Sequence, residues 1–339
     1  MQILRPITMQ DLDELYRLAT EAEFGMTTLT RDRSVLAHKI EHAEESFARL
    51  GRKPADQIYL FVLEDPQTGR ISGTTAIEAK VGGFQPFYSF RIETLLMYSE
   101  QLGTKKEQRV LHLNPDHSGP TAIGTLFLAP ESRRGGMGRF LSIVRFLFMA
   151  CYKDSFEKKV IAEMRGVNDE QGNSPMWEAV GRNFFEMDFP RADFLSGVDK
   201  SFIKELLPPY PIYASLLPPS ARNVIGKVHP NTEPALNILY NEGFTFSGYI
   251  DIFDGGPLVI AERDNIRSVK GSREAVVASI REQGFEKQDM AIAVTHNGFR
   301  AVKDSLIEER DGQVVLSRSA AAVLDVSAGQ TVRYVSIRP

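Results

Sequence analysis

Apolar positions along this chain recur with two spacings, and the switches between them outline its elements. Gln2–Ile7 reads as a short strand, and Thr8-Met9-Gln10-Asp11 resembles a capping box that opens a helix. Leu12, Leu15, Tyr16 and Leu18 then share one face of that helix. A second helix is expected across Ser34–Leu50, after a connection, Glu23–Thr30, rich in small and hydroxyl residues. Ile58–Leu63 and Ile71–Ala79 read as the arms of a hairpin, with turn chemistry in Glu64–Arg70 between them. Phe84–Met97 is expected to be extended.

The middle of the chain is built around strand Ala122–Leu128, a glycine-rich turn, and the buried helix Gly138–Asp154. Lys159–Met164 reads as another buried strand, and Ser174–Phe185 and Glu233–Asn241 as helices. The proline-punctuated stretch Pro190–Ser220 between those helices is expected to be an ordered excursion. After about Arg263 short Val-rich runs alternate with Gly and charged turns, the pattern of a small β-rich unit. The fold class is therefore α+β, with no internal repeat.

Composition narrows the function classes. A chain of 339 residues with 42% hydrophobic and 25% charged residues is that of a water-soluble globular protein. A formal net charge of -4 gives no overall case for nucleic acid or an anionic membrane as partner. The single cysteine, Cys151, excludes an intramolecular disulfide, and no Cys/His cluster has zinc-ligand spacing, so no metal is expected. The first residues, MQILRPITMQDLDELY, lack the basic and then apolar order of a signal peptide, which makes the cytoplasm the expected compartment. Phe140–Tyr152, the most apolar stretch, is too short to span a bilayer and carries Arg145.

The turn Arg133-Arg134-Gly135-Gly136-Met137-Gly138 is the sharpest chemical signal. It lacks the Gly-Lys-Ser/Thr of a Walker A loop and the last glycine of a dinucleotide fingerprint. A helix opening there would present free N–H groups and a positive dipole end, glycines would let an anion approach, and arginines would add charge. A pyrophosphate would fit. A tight strand–helix turn with solvated arginines accounts for the same pattern equally well.

Arg-x-x-Gly-x-Gly between strand and helix resembles the acyl-CoA loop of the GCN5-related N-acyltransferase fold, and ILRPITMQDLDEL and NTEPALNILYNEGF resemble that fold's first and late elements. A more specific likeness covers nearly the whole chain. The segments YLFVLEDPQTGRISGTTAIEA, TLFL, VIAEMRGV, SPMWEAVGRNFFEMDF, VIGKVHPNTEPAL and GYIDIFDGGP, in that order, resemble bacterial arginine N-succinyltransferase. The resemblance implies a mixed sheet flanked by helices, residues 1–262, with an insertion near 167–227 and a β-rich unit at 263–339. It also implies succinyl transfer from succinyl-CoA to the α-amine of L-arginine, the first step of an ammonia-producing catabolic route. No permanently bound cofactor is implied, and a homo-oligomer or a pairing with a homologous subunit is.

The resemblance marks His229 as proton donor, and an imidazole with an ordinary pKa of ~6.5 suits protonation of a departing thiolate. His229 could equally cap the helix that follows it. Tyr240 resembles, by its place in the Leu-Tyr pair, the tyrosine that serves as thiolate acid in many members of the wider fold, with helix packing as the simpler reading. Leu126 is implied as the succinyl-CoA contact through its backbone, with Arg133, Gly136 and Gly138 at the pyrophosphate and Arg134 and Gly135 in support. The succinyl carboxylate calls for an arginine, Arg165 or Arg91, and the acceptor guanidinium for carboxylates among Glu163, Asp251 and Asp254. Each of these charges is also a candidate structural ion pair. His38, His42, His112, His117 and His296 form no constellation, and Trp177 is expected in a core or interface. Cys151, inside an apolar helix, gives no expectation of a covalent enzyme intermediate. Two rivals remain: another amine acceptor such as ornithine, or a non-catalytic subunit.

Overall fold

The computed structural model describes residues 1–22, 28–82, 86–115, 119–169, 171–198, 200–207, 209–309 and 312–339. The start of the run expected from Phe84, most of the connection expected at 23–30, Pro208 and His117 therefore lie outside the described residues.

The first elements are β1 (Ile3–Pro6), α1 (Leu12–Glu21), α2 (Arg33–Ala48), β2 (Ile58–Asp65) and β3 (Arg70–Glu78). A long hairpin follows, β4 (Ser89–Ser99) and β5 (Thr104–Asn114), and then β6 (Thr121–Leu128), α3 (Met137–Cys151) and β7 (Lys159–Glu163). The excursion holds α4 (Pro175–Ala179), α5 (Gly181–Phe185), α6 (Phe189–Val198), α7 (Ser201–Leu206), β8 (Ile212–Tyr213) and α8 (Pro219–Arg222). Next come α9 (Glu233–Asn241), β9 (Thr245–Ile250), β10 (Pro257–Glu262) and α10 (Arg267–Gly271). The chain closes with β11 (Arg273–Arg281), β12 (Met290–Val294), β13 (Arg300–Asp304), β14 (Leu306–Glu308), β15 (Gln313–Ser317), α11 (Arg318–Leu324) and β16 (Thr331–Ser336).

The strands join in one mixed sheet, in the order β14-β15-β11-β16-β12-β13-β1-β2-β3-β6-β7-β10-β9-β4-β5-β8. Strand β2 shows how the layers arise. Tyr59, Phe61 and Leu63 point to a core shared with α3, whereas Leu60 and Val62 point to the core under α1 and α2. Helix α3 is buried on every side from Phe140 to Ala150, sandwiched between the sheet and α9 and α10. Phe148 packs edge-on against Tyr59, Phe61 and Phe299 at centroid distances of 5.2, 5.0 and 4.9 Å, so one α3 side chain joins the N-terminal strands to the C-terminal unit. That unit also has its own apolar cluster around Val277, Ile292, Val314 and Leu324, and β13 pairs antiparallel with β1.

Local chemistry sets the boundaries. The capping box at Thr8 and Asp11 is formed, and Asp32 caps α2 by accepting the N–H groups of Ser34 and Val35. The helix expected over Ser174–Phe185 is broken into α4 and α5. Gly181 there lies against the Trp177 ring, where an added Cβ would sit 2.2 Å from a ring carbon. Trp177 is fully buried, stacked on Phe185 and Phe253, and donates its ring N–H to the Met187 carbonyl. Among the described residues no helix is long and apolar enough to cross a membrane.

Candidate active site

Strands β6 and β7 are parallel neighbours that pair only at their starts, Thr121 with Val160 and Ala122 with Ile161. Beyond those pairs the two strands part, and backbone of both is left without a neighbouring strand in the gap. A bulge reinforces the parting. Thr125 and Leu126 together oppose the single residue Thr75 of β3, and Thr125 adopts a left-handed φ of 50°. Leu126, partly buried beside the bulge, thus lies on the β6 wall of the split.

The β6 wall runs into the glycine turn. Arg133 folds back to donate from Nε to the Leu128 carbonyl at 2.9 Å, with its guanidinium 5.8 Å from the Phe127 ring centroid. Gly135 and Gly136 take left-handed φ values of 61° and 78°, and Gly136 caps α3 without a side chain. Arg133, Arg134, Gly135 and Gly136 are exposed, and Gly138 packs near Leu128 in the first turn. Among the described residues the N–H groups of Gly135 and Gly136 have no protein acceptor. The turn presents donors and positive charge to solvent at the mouth of the split.

The β7 wall ends in GYIDIFDGGP packed against AEMRG. Met164 donates its N–H to the Pro257 carbonyl, and Gly166 donates to Asp254 Oδ2 at 2.6 Å, both toward β10. Backbone groups alternate sides along a strand, so the Arg165 carbonyl faces the opposite way, into the split. There it accepts the His229 N–H at 2.9 Å, while Val228 bridges Gly166. His229 is thus held at the mouth of the split. Its Nδ1 accepts the Asn231 N–H at 3.2 Å, which in the neutral ring assigns the proton to Nε2. His229 does cap the turn that follows, and capping fixes its tautomer.

A small cleft lies beside this wall, lined by Phe87, Tyr88, Glu163, Lys200, Asp251 and Phe253. Glu163 is exposed to the cleft, while protein atoms crowd its carboxyl and thin the water around it. That desolvation, with the Asp251 carboxylate next to it, pushes the Glu163 carboxyl well above its ordinary range, and Lys200 pulls the other way. Asp251 accepts the N–H groups of Phe253 and Asp254 at 2.7 Å each. Asp254 is buried below it, with both oxygens occupied by the Gly166 and Gly256 N–H groups. Burial and the charge of Asp251 push Asp254 up as well, against the pull of those two N–H groups.

The remaining expected residues sort by place. Arg165 donates to Asn168 at 2.8 Å beside His229, whereas Arg91 lies exposed on β4, paired to Glu93. Tyr240 stands half-exposed in the last turn of α9. Cys151 ends α3, and burial pushes its thiol up to about 12. Lys200, from the insertion, is the cleft residue that sequence reasoning passed over, since nothing in its neighbours DKSF distinguishes it from a surface lysine.

A mixed sheet split at a parallel pair, with a bulge on one wall and an open glycine turn on a helix N-terminus, is the architecture of an N-acyltransferase. The family profile described as arginine N-succinyltransferase beta subunit matches residues 2–268, and that of its C-terminal domain matches 273–336. The chain belongs to this arginine N-succinyltransferase family. Arginine N-succinyltransferase of Yersinia pseudotuberculosis is 42% identical over 99% of this chain and 98% of its own length. The Escherichia coli protein of that name is 40% identical over the same shares. A solved structure, subunit AI of the arginine/ornithine succinyltransferase from Pseudomonas aeruginosa, superposes over 100% of this chain and 99% of its own. Its TM-score is 0.90, at 37% identity.

Proposed function

We propose that this chain transfers the succinyl group of succinyl-CoA to the α-amine of L-arginine, releasing N2-succinyl-L-arginine and CoA. The observation that carries the reading is the cleft at the end of the same strand that walls the split, which Glu163, Asp251 and Lys200 line together. A guanidinium fits the acidic pair, its charge drawing the raised Glu163 carboxyl into the ionised form, and an amino-acid carboxylate fits the lysine. The α-amine between them would reach a thioester lying in the split. Asp254 supports this arrangement by holding the Asp251–Gly256 turn to β7.

The donor's pyrophosphate rests on Arg133, Arg134, Gly135, Gly136 and Gly138, and its thioester arm lies along the exposed backbone of β6. Attack by the amine forms a tetrahedral oxyanion, which the backbone at Leu126 stabilises. The attacking amine sheds its surplus proton to solvent, collapse breaks the carbon–sulfur bond, and the leaving thiolate takes the Nε2 proton of His229, which solvent then restores. Arg165, oriented by Asn168, faces the succinyl carboxylate. The high thiol pKa of Cys151 fits direct transfer without a covalent enzyme intermediate.

We place the chain in the cytoplasm, as a homo-oligomer or beside a homologous subunit. Residues 1–262, with the insertion 167–227, form the acyltransferase unit and 263–339 the β-rich unit. Ornithine is the second acceptor to consider, because the Pseudomonas aeruginosa relative is called an arginine/ornithine succinyltransferase. The test is the pair E163Q and D251N, assayed with both substrates varied. Each should raise the KM for arginine roughly tenfold or more, the span of one charge-assisted bond, with little change in the KM for succinyl-CoA. An unchanged KM for arginine in both variants would remove the cleft from acceptor binding.

A further inference from the structure

The glycine turn is walled on one side by residues from the far end of the chain. A Cβ at Gly136 would sit 3.5 Å from Lys303 Cε and 3.9 Å from Ile337 Cδ1. Lys303 lies on β13 with only 17% of its side chain exposed, and its Nζ pairs with Asp289 Oδ1. Asp289 is shared, since Arg338 Nε reaches its other oxygen at 2.6 Å. One carboxylate between two cations leaves a net positive charge beside the turn. That charge adds to Arg133 and Arg134, beside the exposed Gly135 and Gly136, whose N–H groups have no protein acceptor among the described residues.

We propose that the C-terminal unit completes the phosphate seat for the acyl donor, with Lys303 contacting a phosphate of the CoA nucleotide and Arg338 reinforcing it through Asp289. This rests on the reading of the glycine turn as the CoA seat. It gives the β-rich unit a part in donor binding beyond extending the sheet. Lys303 is suited to the task because its stem already packs across Gly136, so little freedom is lost when its ammonium meets an anion. The ammonium would then be shared between Asp289 and the phosphate.

The experiment compares succinyl-CoA with succinyl-pantetheine, which carries the thioester but no phosphate, in wild type, K303M and the double variant K303M/D289N. Methionine keeps an unbranched apolar stem against Gly136, and D289N removes the carboxylate that K303M exposes. Lys303 in the predicted role means that both variants raise the KM for succinyl-CoA about ten- to a hundredfold, the range of one charge-assisted bond. Their kcat and their kcat/KM for succinyl-pantetheine should stay at wild-type values. Equal losses on both donors would make Lys303 a structural prop and overturn the proposal. Recovery of wild-type KM in the double variant would reduce Lys303 to a counter-ion of Asp289 and overturn it equally. A wild type that shows no preference for succinyl-CoA over succinyl-pantetheine would instead remove the CoA seat itself, a separate failure.

Discussion

Gly256→Ala is a small change with a large predicted effect. A Cβ at this position would stand 2.0 Å from the Met164 carbonyl oxygen, 2.7 Å from the Gly166 nitrogen and 3.0 Å from Asp254 Oδ1. Carbon and oxygen normally stay about 3.2 Å or more apart, so the Asp251–Gly256 turn and β7 must separate by roughly 1 Å. Two of the atoms struck belong to backbone, which cannot rotate away as a side chain does. Overpacking of this kind costs typically about 1–3 kcal/mol, and the severity of the overlap puts this case at the upper end. Function should suffer more than stability. Met164 lies between Glu163 and Arg165, whose carbonyl holds the His229 backbone, so one displacement moves both the cleft and the histidine. A misplacement of about 1 Å can cost on the order of a hundredfold in rate. The assay is kcat for succinyl transfer alongside thermal unfolding. Gly271→Ala serves as control, since a Cβ there meets nothing within 4 Å. Wild-type kcat in Gly256→Ala would refute the claim that this seating positions the site.

Three further outcomes follow from the same structure. Glu163 keeps its proton in the folded chain above the ordinary carboxylate range of ~4.3, so the folded state binds more protons in that window and stability falls as pH rises through it. Urea midpoints of E163Q between about pH 5 and 8 should fall less steeply than those of wild type, and parallel profiles would contradict the raised carboxyl. Phe148→Ala should cost about 3–5 kcal/mol by emptying the aromatic cluster between α3, β2 and the C-terminal unit. At ~2.1 cal/mol/K per residue that is a Tm drop of roughly 4–7 °C, read by calorimetry. H229A should lower kcat by roughly a hundredfold or more and Y240F by little, and the reverse order in a thiol-release assay would move the proton-donor role to Tyr240.

Much of this fold was legible because its core elements are long and regular. The apolar runs of β2 and α3 marked a buried strand and a buried helix, and Arg-x-x-Gly-x-Gly marked the joint between strand and helix. The excursion was less legible. Prolines marked Pro190–Ser220 as an ordered excursion without showing its elements, and α6, α7 and α8 form there. Their stability comes from packing on Trp177, Phe189 and Ile203 rather than from any one amphipathic stripe. Strand β5 was missed because its outer half, Thr104–Glu107, pairs only with β4 and stays exposed on both faces, so no alternation marks it. At the site, sequence named Glu163, Asp251 and Asp254 together but could not rank them. The ranking lies in hydrogen bonds between residues far apart in the chain: Asp254 is filled by Gly166 and Gly256, while Glu163 opens to the cleft. Lys200 and Lys303 were invisible for the same reason, each meeting its partners only through tertiary contact.

The most direct test of the central claim is thiol release by the purified chain alone, given succinyl-CoA with and without L-arginine, beside acetyl-CoA and ornithine arms. Release from succinyl-CoA should depend on arginine and be lost in H229A. No arginine-dependent release from succinyl-CoA, in a chain that still binds CoA, would contradict that claim.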